Sequence, residues 1–524
     1  MKNPKRWTPW LLILALAATA GAQETKKTVS MSLQDCIAQT LKNNLGVAIQ
    51  VLGPQYAQAG VALADEFFLP TFTLGFNKQH STQVSYSFLD SSGNTKIVTT
   101  TTNYSFSGVQ NLPLGGAFTL SATGYDTSSN QAYQTINQRL GTTLRFSLTQ
   151  PLLRNFGTMA SHYNILVAKN TRAVSDTQLT QSLLDTILSV ETAYWNLVYN
   201  MENLKVGQQS IQLAQDLLDM NKRMVEVGTL APTEILTAQA EVATREADII
   251  QFETQVQGAS DQLKTLLNMP DEEQKAIGLI TPTDTPTVEE HKVNLDEAVA
   301  TALQYRPDLA SYKLGVDLQQ LNLRYTKNQL LPELDLNAYY SGSGISGTQI
   351  LYQDNNPIQF PNPIGTVPGN ISGAIKDTLK FLYPNWSVGL TLTVPVANFV
   401  SRAAMAEAKV SLQQAILTLK NQKLQDLLQI RNDIRAIEAN FKRINAYRVA
   451  RELAEQKVST EQEKFKVGQS TNYMVLSYQR DLGTARTSEV NAIVAYNVSL
   501  AALDHDLGLS LKTRNVQLTD FIQK

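Results

Sequence analysis

Cysteine is nearly absent: the 524 residues include one, Cys36, so no disulfide can form within the chain. An excess of charge of either sign is missing too. Lys and Arg total 44 against 46 Asp and Glu, which excludes the polybasic surface that nucleic acid requires. Beyond the N-terminal segment no run of about 18 apolar residues occurs, so no membrane-spanning helix is expected. His80, His162, His291 and His505 are scattered without metal-ligand spacing. No phosphate-binding glycine loop, dinucleotide fingerprint or nucleophile motif is present. No catalytic, cofactor-binding or metal-ligating residue is therefore expected. The many Asp and Glu read as solvated helix faces, and energy for any transport must come from partners.

Lys2, Lys5 and Arg6 precede an apolar run from Trp7 to Ala18, and Ala20-Gly21-Ala22 follows as a small-residue cleavage site. That pattern predicts a secretory signal peptide, residues 1–22, and hence export. An exported chain without a spanning helix is soluble in the periplasm, secreted, or a β-barrel.

The remainder is written twice. Leu33, Leu41, Leu69, Pro70 and Leu74 recur as Leu295, Leu303, Leu331, Pro332 and Leu336 at an offset of 262. Val227-Gly228, Leu236, Gln239 and Leu263 recur as Val467-Gly468, Leu476, Gln479 and Leu503 at an offset of 240. The first repeat, 23–269, is thus longer than the second, 293–524, mostly between Pro70 and Pro151. Residues 270–292, with Pro270, Pro282 and Pro286, read as a surface connector without periodicity.

Residues 158–226 lack proline and hold only Gly207, and 401–466 lack both residues. Ile187, Val190, Tyr194, Leu197, Met201 and Leu204 alternate threes and fours, as do Leu427, Ile430, Ile434, Ile437, Phe441 and Ile444. This is a coiled-coil seam on rods of roughly 100 Å. Shorter helices are expected at 233–267 and 473–507, after the rods, and near 45–68 and 309–330, before the strands. Between the short and long helices the period falls to two. Phe72, Leu74 and Phe76, then Leu144, Phe146 and Leu148, alternate with polar residues. So do Leu334, Leu336, Ala338 and Tyr340, and then Trp386, Val388, Leu390, Leu392 and Val394. Each series has the alternation of a transmembrane barrel strand. Pro70, Pro151, Pro332 and Pro395 bracket the strand blocks, as suits helix-to-strand corners. Ser/Thr/Asn/Gly-rich residues 78–103, 124–139 and 341–383 read as external loops.

With an exported, duplicated, rod-bearing body the chain resembles the TolC-like outer membrane factor family over nearly all its mature length. The sharpest motif is the Val-Gly turn leading into a short helix, Val227-Gly228-Thr229 through Leu236 and Val467-Gly468-Gln469 through Leu476. The resemblance implies a mixed α and β membrane protein. Three copies would share a twelve-stranded β-barrel in outer-membrane lipid, four strands each, continued by a coiled-coil periplasmic tunnel. It implies a passive duct for a tripartite efflux pump or a type I secretion system. Its partners would be a periplasmic adaptor and an inner-membrane pump or ABC exporter. Val227, Gly228, Thr229, Val467, Gly468 and Gln469 would dock the adaptor.

The family's gate pattern is only partly kept. Glu234 retains an acidic residue seven positions after the first Val, whereas Met474 replaces it after the second. Ser477 stands at another acidic position, Ser470 replaces an arginine, and Phe465 keeps an aromatic. The expectation is a tip closed by Phe465 and Met474 packing, with Glu234 as a charged ring or as a carboxylate on a helix N-terminus. Residues 102–124, turning at Leu112–Gly116, depart from the family pattern. They are expected as an extracellular hairpin, the alternative being barrel strands that give six per subunit and eighteen in all. From another class, a secreted coiled-coil filament or adhesin explains the rods but not the proline-bracketed strands.

Overall fold

The computed structural model of the chain describes residues 27–85, 96–270, 277–360, 362–395 and 399–517. The expected signal peptide, 1–22, lies outside the described residues. Nine helices and a sheet are needed to position the functional surfaces. In the N-terminal half α1 (Leu33–Asn43) and α2 (Leu45–Asp65) lead into β2 (Thr71–Val84), β3 (Lys96–Asn111), β4 (Ala117–Ser129) and β5 (Ile136–Pro151). The 64-residue rod α3 (Tyr163–Glu226) and its return helix α4 (Thr233–Leu267) follow. The C-terminal half repeats the plan with α5 (Leu295–Tyr305), α6 (Pro307–Gln329), β7 (Glu333–Tyr352), β8 (Pro363–Val367), α7 (Ile371–Leu379) and β9 (Tyr383–Thr393). The 68-residue rod α8 (Phe399–Lys466) and α9 (Asn472–Asp506) complete it. Among the described residues no helix is long and apolar enough to cross a membrane.

The seam positions point inward. Ile187, Val190, Tyr194 and Leu197 are buried, as are Ile430, Ile437 and Ile444. Toward the sheet the helices lie in the order α2, α3, α6, α8; toward the far end the order is α4, α3, α9, α8. One flank of the subunit is therefore α2 above α4, and the other is α8. Both flanks carry unpartnered apolar stripes at helical spacing. Leu45, Ile49, Leu52, Tyr56 and Leu63 are exposed on α2, and Val410, Leu417, Leu424 and Leu428 on α8.

Residues 270–292 correct one expectation. They contain β6 (Ile277–Pro282), which pairs in parallel with β1 (Lys27–Met31) and buries Ile280 against the α3 core. The pattern is too short to read alone, because each strand's partner lies some 250 residues away. Tyr194 fixes this strap, donating to Asp284 Oδ2 at 2.8 Å and accepting from Thr283 and Asp284 amides.

The sheet runs β9-β7-β5-β4-β3-β2, all antiparallel, with β8 extending the outer end of β7. Residues 102–124 are thus not an extracellular hairpin. β3 and β4 pair along their length between β2 and β5, and their turn sits at the helix end. There the Ser161 hydroxyl donates to the Pro113 carbonyl at 2.5 Å, and Gln110 and Asn111 donate to the carbonyls of Phe68 and Phe67. The three expected loops are likewise shortened, because β2 to β5 and β7 continue into them. Hydroxyl pairs such as Thr99–Ser129 and Thr101–Thr127, each 3.1 Å, tie these polar extensions together.

Toward the helix end the six long strands alternate, so this part of one sheet face is apolar, while further out the same face carries Lys78, His80 and Asp126. Along one register row lie Phe72, Gly108, Leu120, Phe146, Tyr340 and Trp386; along the next apolar row lie Leu74, Phe106, Ala122, Leu144, Gly342 and Pro384. From β9 to β2 the centre of this band drifts outward by about six residues over five strand steps. That corresponds to roughly 40° of tilt against a flat apolar layer, as barrel strands adopt. Helix α7 lies on the apolar face, where Thr378 bonds Thr142 at 2.7 Å. Phe381 packs on Tyr340 and Phe146. Gly342 and Gly344 permit this approach, since a Cβ at either would meet helix backbone.

A buried charge cluster joins the two halves at the helix waist. Arg306 reaches Asp308 at 2.8 Å and Asp426 at 3.2 Å, and donates to the Asp506 carbonyl at 2.9 Å. His505 bridges Asp506 and, across the halves, Asp185, each at 2.8 Å. Burial opposes charge on His505, but its bonds to Asp185 and Asp506 outweigh that and raise it to about 9. Burial, then the Asp506 carboxylate, raises Asp433 to about 7. Both folded values lie above the unfolded ones, so each contribution is complete below the unfolded pKa and disappears as pH rises through the folded one. Asp185 and Asp506 are held low and stay ionised through that window. Thermal stability therefore falls first between about pH 4 and pH 7 as Asp433 ionises, then between about pH 6 and pH 9.5 as His505 loses its proton, the latter by on the order of 2 kcal/mol. Melting curves across that range should show the loss, and His505→Gln should flatten it.

Candidate functional site

The far end of the rods brings the two Val-Gly turns side by side. Each ends its helix the same way. The Gly228 and Thr229 amides donate to the carbonyls of Val225 and Met224, and those of Gly468 and Gln469 to Phe465 and Lys464. Both glycines have φ of 77°, the left-handed conformation in which a Cβ is disfavoured. Val227, Gly228, Thr229, Val467, Gly468 and Gln469 are all exposed, so both turns present apolar Val side chains to solvent.

Behind the turns the two helix hairpins are latched by polar groups. Asn221 and Asn472 are buried, and Asn221 Nδ2 donates to Asn472 Oδ1 at 3.1 Å. Asn472 donates in turn to the Glu234 carboxylate at 3.0 Å, and Asn221 to the Glu234 carbonyl at 3.3 Å. Two turns further up, Glu241 on α4 takes Arg480 from α9 and Arg245 from its own helix, the latter at 2.6 Å. Burial would raise the Glu241 carboxyl, yet the two guanidiniums hold it below its ordinary value. Gln479 adds a bond to the Leu213 carbonyl at 3.2 Å.

Phe465 is buried, but against Leu217, Val475 and Leu476. Met474 stands outside that cluster and is half-buried. Val475 and Leu476 face α3 in that cluster. Ser470 donates to Glu461 at 2.5 Å, and Ser477 is half-buried without a charged partner among the described residues. Asn221, Asn472, Glu241 and Arg480 escaped sequence reasoning. Their signal was a polar residue on a seam, since Asn221 follows Leu217 and Leu218 at helical spacing.

At the other end the four prolines mark the sheet's base. Pro70 and Pro332 directly precede β2 and β7, Pro151 closes β5 opposite Asp335, and Pro395 follows β9. The polar face above them is rich in Ser, Thr and Asn.

A match to the outer membrane efflux protein family model covers residues 36–269 and 298–509, most of both halves. The chain belongs to that family. Membership makes it an outer-membrane transport component rather than an enzyme, with its helical part in the periplasm. The chain is 25% identical over 335 residues to outer membrane protein TolC of Escherichia coli K12, covering 62% of this chain and 61% of that protein. It is 21% identical over 392 residues to the proteases secretion protein PrtF of Dickeya chrysanthemi, covering 72% and 78%. The outer membrane protein VceC of Vibrio cholerae superposes with a TM-score of 0.61 at 14% identity, covering 91% of this chain and 96% of that one. The chain thus spans about three fifths of the first of these curated relatives, while the fold matches family structures nearly end to end.

If the polar latch holds the hairpins together, Arg480→Ala combined with Asn472→Ala lets the tips separate. Spin labels on Val227 and Val467 should show a longer and broader distance distribution in that variant. An unchanged distribution would sink the latch.

Proposed function

We propose that three copies of this chain form the outer-membrane exit duct of a tripartite efflux pump or type I secretion system. The observation carrying this reading is that the subunit has two matched open edges. β2 and the α2 stripe lie on one flank, β9 and the α8 stripe on the other. β2 runs outward and β9 runs back, so β2 of one copy meets β9 of the next antiparallel, as a barrel demands. The same step seats Leu45, Ile49 and Tyr56 near Val410 and Leu417 of the neighbour. Such a head-to-tail contact closes as a ring.

Six long strands per copy give an eighteen-stranded wall, with the apolar face in lipid and the Ser/Thr/Asn face inward. Twelve helices in cross-section extend it as a tube. The Val-Gly turns at its end would dock a periplasmic adaptor, and the Asn221–Asn472–Glu234 and Glu241–Arg480 contacts would serve as the gate that the adaptor releases. Relatives named for toxin and drug export and for protease secretion support small molecules or proteins as cargo. A strain lacking the chain should become sensitive to toxic compounds or retain a secreted protein; neither change would count against the duct.

The strand count has its own test. Deleting residues 96–129 lets β2 pair directly with β5, leaving four strands per copy. Electron-microscopic projections of the purified oligomer should then show a barrel narrower by about a third. An unchanged diameter would mean that β3 and β4 are not part of the wall.

A further inference from the structure

The charges on the inward face are distributed unevenly. Following that face along each strand, β2, β3, β4 and β9 contribute Thr, Ser, Asn, Gln, Gly, Tyr and a few small apolar residues, and no charge among the described residues. β7 contributes Glu333 and Asp335, both at the base. β5 contributes Arg139 and Arg145, opposite Gly347 and Ser341. Arg145 therefore stands six residues above Asp335, about 20 Å along the strand.

Both arginines are exposed, and neither has a carboxylate partner or a hydrogen bond among the described residues. Each is instead held by a ring. Arg145 Cζ lies 3.7 Å from the centroid of Tyr339, and Arg139 Cζ lies 5.5 Å from that of Tyr125. The Tyr125 ring lies across Gly141, where any Cβ would strike it. A stacked guanidinium keeps its charge and its planar fork of donors, so it is oriented yet still able to bind an oxyanion.

We propose that Arg139 and Arg145 form an anion-attracting belt of two rings, Arg139 in the upper barrel and Arg145 about 20 Å below it, and that the duct favours cargo carrying clustered negative charge. This rests on the duct reading, since it needs the polar face inside. Three copies would place six guanidiniums around one wall. An eighteen-stranded barrel has a backbone radius of roughly 16 Å, and side chains narrow the lumen to about 11 Å. The axis then lies about one screening length from the charges at physiological salt. Small-ion preference is accordingly modest, whereas a polyvalent anion at the wall binds well.

The test is current through the purified oligomer in planar bilayers, with tripolyphosphate added on the barrel side. The wild type should pass chloride over potassium by about twofold and be blocked by tripolyphosphate. R139Q/R145Q should lose the preference and weaken block at least about tenfold, while R139K/R145K keeps most of the preference and loses part of the block. All three should elute as the same oligomer. Equal block in wild type and R139Q/R145Q overturns the belt while leaving the duct intact. An oligomer that passes no current, even with Arg480→Ala and Asn472→Ala at the tip, overturns the duct and the belt with it.

Discussion

A strand edge facing hydrocarbon leaves its outward amides and carbonyls without partners, and each such group costs several kcal/mol. In this subunit β2 and β9 are both edges, 14 and 11 residues long, and both carry apolar side chains suited to lipid. A single copy therefore cannot rest in a bilayer. Because β2 continues α2 and β9 leads into α8, joining the sheet edges also joins the helical flanks. In the proposed duct, barrel and tube would close in one step, with the exposed stripes on α2 and α8 as the helical half of the same constraint.

Within the subunit, polar contacts differ in strength according to burial, and the difference divides what stays from what moves. Arg306 with Asp308, Asp426 and Asp506 is enclosed at the waist, where losing one partner costs about 3–5 kcal/mol. Arg514 to Glu191 adds a second link there between the halves. At the tip, Arg480 is 56% exposed and its bridge to Glu241 is partly screened by water, in the range of about 1 kcal/mol or less. The buried asparagine pair adds neutral hydrogen bonds that an opened tip can exchange for water. In the proposed duct, opening would thus be easiest at the tip and hardest at the waist.

The rods were legible because the 3-4 spacing from Ile187 to Leu204, and again from Leu427 to Ile444, has one reading over such length. β2, β5, β7 and β9 were legible from alternation between prolines. The role of β3 and β4 was not. Tyr104, Phe106 and Gly108 alternate like any strand, but alternation does not say which strand lies alongside. The contacts that fix the turn, Ser161 with Pro113 among them, come from far along the chain. Outer extensions such as Thr99–Asn103 look like loop by composition and become strand only through their neighbours. β1 and β6 are each six residues or fewer and depend wholly on a distant partner. At the tip the turns were plain from Val-Gly, while the Asn221–Asn472 latch required knowing which helices meet.

Closure between copies is the claim on which the barrel, the tube and the inward polar face all depend. The most direct measurement introduces cysteines at Leu74 in β2 and Leu390 in β9, in a Cys36→Ser background, and treats outer membranes with a bifunctional thiol reagent reaching about 10 Å. Denaturing electrophoresis should give a ladder that stops at three copies, and the single-cysteine chains should give at most pairs. A chain that stays monomeric, or a ladder that continues past three, would contradict the account.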